Sequence, residues 1–253
     1  MVGREEVVGF LNSELNAEHF NSIDDADFNG ALVDGSEEVE KVGLCTNTTF
    51  ENIESASELG CDMVLVHHGG WKRFDMDLFE EKKQRIREND ITWYIAHQTL
   101  DCADEFGVCV ALGDRLGIEI DGKYCEIQGG PHGRYGHLEV SREEFLDRLE
   151  GTEPDYRFIG DIGEDIEDQK IGIVGGGGGA FGDIVKETID IGCDVFITGN
   201  TMFANEIYAH EKGLTVIVLE ETSSERWGVY ALGEHLEQEF PEIETVRIEE
   251  RNW

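Results

Sequence analysis

The chain has 253 residues, of which 56 are Asp or Glu and 20 are Lys or Arg, for a formal net charge of −36. That balance argues against nucleic-acid binding through a general basic surface, because phosphate neutralisation needs clustered cations. With 40% hydrophobic residues the chain can still build a core, which argues against disorder. The acid is spread through every segment rather than gathered in a tail, the pattern of a folded protein adapted to a saline cytoplasm. Six scattered cysteines, without a Cys-x-x-Cys pair, read as reduced thiols. Since no apolar run approaches ~18 residues and the first residues lack a signal-peptide core, a soluble cytoplasmic protein is expected.

Residues Glu5 to Leu15 place Val7, Val8, Phe10 and Leu11 on one side of an opening helix. A polar connection through Asp24-Asp25-Ala26-Asp27 follows, then a strand over Val39 to Leu44. A helix is predicted from Phe50 to Leu59, closed by Gly60. The apolar run Met63 to Val66 reads as a buried parallel strand spilling into His67-His68-Gly69-Gly70-Trp71. A charged helix (Leu78 to Glu88), a strand (Ile91 to Ala96) and a helix from Glu105 to Leu116 come next. Gly129 to Gly136 (GGPHGRYG) is dense in turn residues and reads as a boundary or excursion. Ser141 and Glu144 then fit a capping box at a helix start. Strands at Ile171 to Val174, Val195 to Thr198, Leu214 to Leu219 and Val246 to Ile248 alternate with helices at Phe181 to Ile191, Phe203 to Lys212 and Glu225 to Glu239. Such alternation implies βαβ units. The expected fold is α/β, two interlinked lobes with mainly parallel sheets: residues 1–125 completed by 226–253, and residues 126–225, with a metal site between them.

Three strand ends carry the candidate chemistry. In open α/β sheets ligands bind at the carboxyl ends of strands. His67 and His68 occupy one such end, and the following glycine pair supplies the break that lets two neighbouring imidazoles converge. His97 and Asp101 follow the next strand. They are four residues apart and so share a face if the segment is helical, although His97 can equally end the strand and Asp101 cap the next helix. Glu221 and Glu225 follow a third strand with the same spacing, where acidic residues also suit a helix N-terminus. Imidazoles together with carboxylates favour Zn, Fe or Mn over Ca. The run Gly175 to Gly179, between a strand and a helix, can present N–H groups to an anion or be a flexible turn; it lacks the Lys-Ser/Thr of a P-loop. Lys72 and Arg73 can meet a substrate phosphate or pair with the many carboxylates.

Together, Asp62-Met63-Val64-Leu65-Val66-His67-His68-Gly69, Tyr94-Ile95-Ala96-His97-Gln98-Thr99-Leu100-Asp101, Gly175 to Gly179, Asp194 to Gly199 and Ser224-Glu225-Arg226-Trp227-Gly228 resemble the Nif-three-like dinuclear metal-centre family, often labelled GTP cyclohydrolase 1 type 2. The resemblance runs nearly end to end. It implies two divalent metal ions (Zn, Fe or Mn) held by His67, His68, His97, Asp101, Glu221 and Glu225, and a toroidal homohexamer. It also implies a metal-dependent hydrolase acting on a nucleotide or other phosphorylated small molecule; a non-catalytic metal-binding or adaptor protein is the alternative. In the family the late pair is usually His-x-x-x-Glu, so Glu221 stands where a His is expected, and Asn200 where a Glu is usual. A Glu at 221 that still ligates makes the site more anionic and harder.

Overall fold

The computed structural model describes residues 1–24, 28–70 and 72–251; Asp25, Ala26 and Asp27 of the expected polar connection, and Trp71, lie outside the described residues. The chain divides into two units, Met1–Phe106 with Val229–Arg251, and Gly107–Gly228. The first crossing falls at Phe106/Gly107 and the return at Gly228/Val229, where the residue pattern placed them at 125/126 and 225/226.

In chain order the first unit holds β1 (Val2–Gly3), α1 (Arg4–Glu14), α2 (Ala17–Ile23), β2 (Gly30–Val33), β3 (Glu38–Val39), β4 (Lys41–Asn47), α3 (Phe50–Glu58), β5 (Met63–His68), α4 (Lys72–Asp75), α5 (Phe79–Glu88), β6 (Thr92–Ile95) and α6 (Gln98–Cys102). The second holds α7 (Val108–Leu116), β7 (Ile118–Ile127), β8 (Gly130–Leu138), α8 (Arg142–Glu150), β9 (Arg157–Ile159), β10 (Ile171–Val174), α9 (Gly182–Asp190), β11 (Val195–Thr198), α10 (Phe203–Glu211), β12 (Thr215–Val218) and the start of α11 (Glu221–Glu239). Within α11 the chain returns to the first unit, which β13 (Glu244–Arg247) completes.

The first unit's main sheet runs β13-β4-β5-β6-β2, parallel except where β2 joins β6. Every residue of β5 is buried. A strand covered on both faces has no use for a polar alternation, which is why Met63 to Val66 is an unbroken apolar run. Val64, Val66, Trp93, Ile95, Ile53 and Ile86 share one core, in which each large aliphatic side chain contributes about 2 kcal/mol by leaving water. The buried Trp93 keeps its polar handle satisfied by donating from Nε1 to Thr48 Oγ1 at 3.0 Å. Thr49 caps α3 by accepting from the Asn52 N–H at 3.0 Å.

The second unit's sheet runs β7-β8-β10-β11-β12-β9 and is mixed: β10, β11 and β12 are parallel, whereas β7, β8 and β9 join antiparallel. The boundary or excursion expected at Gly129–Gly136 is therefore corrected: from Gly130 the stretch is a strand, β8, paired along its length with β7. Its glycines serve close packing rather than turning. Tyr135 lies across from Gly122 and Tyr124 across from Gly133, and a β-carbon on either glycine would come within 2.5 to 2.6 Å of the facing tyrosine side chain. Glycine weakens a strand, but an aromatic laid over it restores a cross-strand contact.

Other boundaries move by a turn or less. α7 starts at Val108 rather than Glu105, and α11 starts at Glu221, four residues before the expected Glu225. The expected strand Val39 to Leu44 splits into β3 and β4. The capping box holds: Ser141 Oγ accepts from the Glu144 N–H at 3.3 Å. No helix among the described residues is long and apolar enough to cross a membrane.

Candidate metal centre

β5 carries its two imidazoles at its last two positions, and His68 lies opposite Asn47 of β4. His67 is fully buried and His68 nearly so. Their ring centroids are 4.6 Å apart, and His97, just beyond β6, lies 5.0 Å from His67 and 5.4 Å from His68. One donor nitrogen from each of the three falls within 4.8 Å of the others. The chain breaks only after His68, where Gly69 and Gly70 take φ of +110° and +80°. At Gly70 a β-carbon would sit 2.0 Å from Ile95 Cδ1, so a side chain is excluded by space as well as by φ. The Gly70 N–H donates to the buried Asp75 carboxylate at 2.7 Å, and Asp75 in turn pairs with Lys82.

The hydrogen bonds select one tautomer for each ring of the pair. His67 Nδ1 lies 2.7 Å from the Ala96 carbonyl oxygen, which only accepts, so Nδ1 carries a proton. His68 Nδ1 stands 3.1 Å from Asn47 Oδ1, with the same consequence. His67 Nε2 is 3.5 Å from an oxygen of Asp101. Asp101 sits in the body of α6 and donates its N–H to the His97 carbonyl at 3.1 Å; His97 itself takes the cap position. His97 and Asp101 each come close to His67, the first ring centroid to ring centroid at 5.0 Å and the second through its carboxylate at 3.5 Å. Imidazole nitrogens beside a carboxylate oxygen suit a divalent transition metal.

In the second unit Glu221 and Glu225 occupy the first turns of α11, and a carboxylate oxygen of each lies within 4.8 Å of the other. Two ionised carboxylates at that separation repel by about 3 kcal/mol at an effective dielectric of ~20, a cost that a shared cation reverses. The glycine run Gly175–Gly179, between β10 and α9, is wrapped against this pair. A β-carbon on Gly176 would lie 2.0 Å from Glu225 Oε1, and one on Gly177 3.7 Å from Glu221 Oε1. The N–H groups of Gly176, Gly178 and Gly179 donate to Ser224 Oγ (2.9 Å), the Gly175 carbonyl (3.3 Å) and Thr198 Oγ1 (2.8 Å). They point into the protein, so of the two readings of the run the structure favours a turn, and a packed one. Asn200 is exposed, and its N–H donates to the Gly176 carbonyl at 2.8 Å. Lys72 and Arg73 are exposed on α4, one turn after the imidazoles.

Several supporting residues were not foreseen. Asn29, buried beside β2, accepts from the His97 N–H at 2.8 Å and from the Thr99 hydroxyl at 3.1 Å. Asn47 and Ser224 orient His68 and Gly176 as described. Asn47 had a usable signal, since the apolar strand β4 ends in Asn47-Thr48-Thr49 just as β5 ends in its histidines. Ser224 stood in the Ser224-Glu225 segment that carries the family resemblance, without a role given to it, and Asn29 had no signal.

A two-unit α/β chain with three clustered imidazoles and a carboxylate in one unit and a paired carboxylate set in the other is, by class, a candidate metal-binding protein. The chain belongs to the Duf34/NIF3 (NGG1p interacting factor 3) family, whose pattern matches residues 2–252. It is 29% identical over 249 residues to a GTP cyclohydrolase 1 type 2 homolog of Archaeoglobus fulgidus, covering 96% of each chain. It is 30% identical over 242 residues to the protein of the same description from Escherichia coli K12, covering 92% of each. Among solved structures it resembles protein ybgI, described as of unknown function, with a TM-score of 0.83 at 27% identity over 99% of each chain. Reduced HcgD from Methanocaldococcus jannaschii, with a TM-score of 0.79 at 23% identity over 98% of each chain, shares the fold.

Proposed function

We propose that His67, His68, His97 and Asp101, together with Glu221 and Glu225, hold two divalent ions of Zn, Fe or Mn, and that the protein is a metal-dependent hydrolase of a nucleotide or other phosphorylated small molecule. The observation that carries this reading is the cluster of His67, His68 and His97, in which His67 and His68 each have Nδ1 committed to an oxygen acceptor. The Glu221–Glu225 pair supports it, since two carboxylates so close gain from a cation. The relatives described as GTP cyclohydrolase 1 type 2 homologs support the reaction class. Divalent ions held there supply Lewis acidity and a bound water acidified toward neutrality. The protein's own part is to hold the His67 and His68 imidazoles turned through their Nδ1 contacts and to supply carboxylate oxygens.

Metal analysis of the purified protein tests the reading. Two equivalents of a transition metal, reduced in His68→Ala, together with turnover in a panel of GTP and other nucleotides that is lost in the same variant, are expected. Absence of bound metal after incubation with Zn, Fe and Mn refutes it. The second reading, a binding role without turnover, is favoured by the family's description as an interacting factor; metal bound without hydrolysis of any nucleotide would select it.

The reading extends to setting and assembly. Six buried free thiols fit a reducing cytoplasm. A chain of net charge −36 that forms a homohexamer needs its self-repulsion screened, so assembly rises with salt. Sizing in molar and in low salt checks this, and an unchanged monomer in both refutes it.

A further inference from the structure

After β13 the chain continues beside β4. Ile248 is buried, and its N–H donates to the Leu44 carbonyl at 2.9 Å. Two residues on, the Glu250 side chain reaches the end of β4, beyond the last residue that β13 pairs. Its Oε2 accepts from the Thr46 N–H at 2.5 Å and its Oε1 from the Asn47 N–H at 2.9 Å. The same Oε1 receives Asn52 Nδ2 at 2.8 Å and lies 3.5 Å from Asn47 Nδ2. Asn52 Nδ2 also donates to the Asn47 carbonyl at 2.7 Å. Asn47 is thereby gripped through its N–H, its carbonyl and its amide nitrogen. Its Oδ1 is turned to His68 Nδ1, 3.1 Å away.

We propose that Glu250 is a positioning residue for His68, acting through Asn47 to set the tautomer of the imidazole. The inference rests on the reading of His68 as a metal ligand. With Asn47 Nδ2 directed to Glu250, the amide presents only its acceptor oxygen to the ring, so the proton must sit on Nδ1 and the lone pair on Nε2. Were the amide reversed, Nδ2 would donate to Nδ1, the proton would move to Nε2, and the nitrogen needed for a metal would be blocked. His67 needs no such device, because its Nδ1 faces a backbone carbonyl that cannot flip. The groups that meet Glu250 are all donors. A carboxylate offers them two acceptor oxygens, whereas a glutamine of nearly the same shape would set an NH2 against one of them.

The test uses the full chain and zinc alone, with wild type, His68→Ala, Glu250→Gln and Asn47→Leu. Zinc affinity is read by competition with a chromophoric chelator. The His68 ring nitrogens of the metal-free protein are read by 15N NMR at a pH where imidazole is neutral, assigned through the His68→Ala spectrum. Glu250→Gln is expected to weaken the His68-dependent zinc about 10- to 100-fold, the usual effect of losing a partner behind a ligand, and to raise the Nε2–H population of His68. Asn47→Leu, which leaves the backbone contacts of Glu250 in place, should do the same and decides the matter if Glu250→Gln does not fold. Zinc affinity within twofold of wild type and an unchanged His68 tautomer overturn the inference while leaving the metal reading intact. If His68→Ala itself binds zinc as wild type does, the metal reading fails and the inference with it.

Discussion

Replacing Gly176 with alanine probes the packing that holds Glu225. Gly176 has φ +55°, a region that costs an L-residue about 1 kcal/mol or more. The added β-carbon would also stand 2.0 Å from Glu225 Oε1. Ordinary contact begins near 3.4 Å, so the carboxylate would have to retreat by 3.4 − 2.0, about 1.4 Å. Glu225 is only 4% exposed and must retreat into packed surroundings, an overpacking cost of about 1–3 kcal/mol. Gly192 supplies the control: its φ is +80°, and nothing lies within 4 Å of where its β-carbon would stand. Gly192→Ala should therefore lose about 1 kcal/mol in urea unfolding, and Gly176→Ala about 2–4 kcal/mol. A metal–oxygen bond is only ~2.0–2.2 Å long, so a shift of that size also takes Glu225 out of coordination. Zinc affinity by chelator competition should fall at least about tenfold in Gly176→Ala and stay unchanged in Gly192→Ala. Equal stability losses in the two variants, within about 0.5 kcal/mol, would refute the packing argument. A loss of stability without any loss of zinc affinity would show that Glu225 is not a ligand.

Glu221→His exchanges an anionic oxygen donor for a neutral nitrogen, so zinc retention should rise relative to manganese in a competition experiment; unchanged selectivity and affinity would remove Glu221 from the ligand set. Lys82→Met takes the cation away from Asp75, whose carboxylate is almost fully buried, and should cost about 3 kcal/mol in urea unfolding. A loss below about 1 kcal/mol would mean that the Gly70 N–H alone suffices for Asp75. Burial raises the Cys61, Cys125 and Cys193 thiols from 9.0 to about 11, about 12 and about 11. The folded state holds these protons more tightly than the unfolded one, so the stability they contribute is complete below about pH 9 and disappears as pH rises through about 11 to 12. The thermal midpoint should fall across that window, and less steeply in Cys193→Ala; a slope that the substitution leaves unchanged would count against the assignment.

The parts of the molecule legible from its residues are those where one short stretch carries the whole signal. β5 and β6 are buried on both faces, so each is an apolar run that stops abruptly at polar residues, and the stop marks a site in an open α/β sheet. The β7–β8 hairpin was hidden because its glycines mimic a loop, while their purpose lies in Tyr124 and Tyr135 on the neighbouring strand. α6 could be read only as one of two alternatives, because its five residues are too few for periodicity to show. Glu250 lies more than 200 positions from the N–H groups it accepts, and no local pattern in an acid-rich chain separates it from its neighbours.

The same contrast divides the candidate ligands. His67 and His68 are oriented by polar partners behind them, Ala96 and Asn47, so they should respond to changes in hydrogen-bonding chemistry that leave volume alone. Glu225 is hemmed by a glycine run lying against its carboxylate, so it should respond to added volume that leaves hydrogen-bonding chemistry alone. A Glu250→Gln, Gly176→Ala double variant joins one change of each kind. If the two ligands serve one cooperative centre, the combined loss of zinc affinity departs from the sum of the separate losses; if they serve independent sites, the losses add.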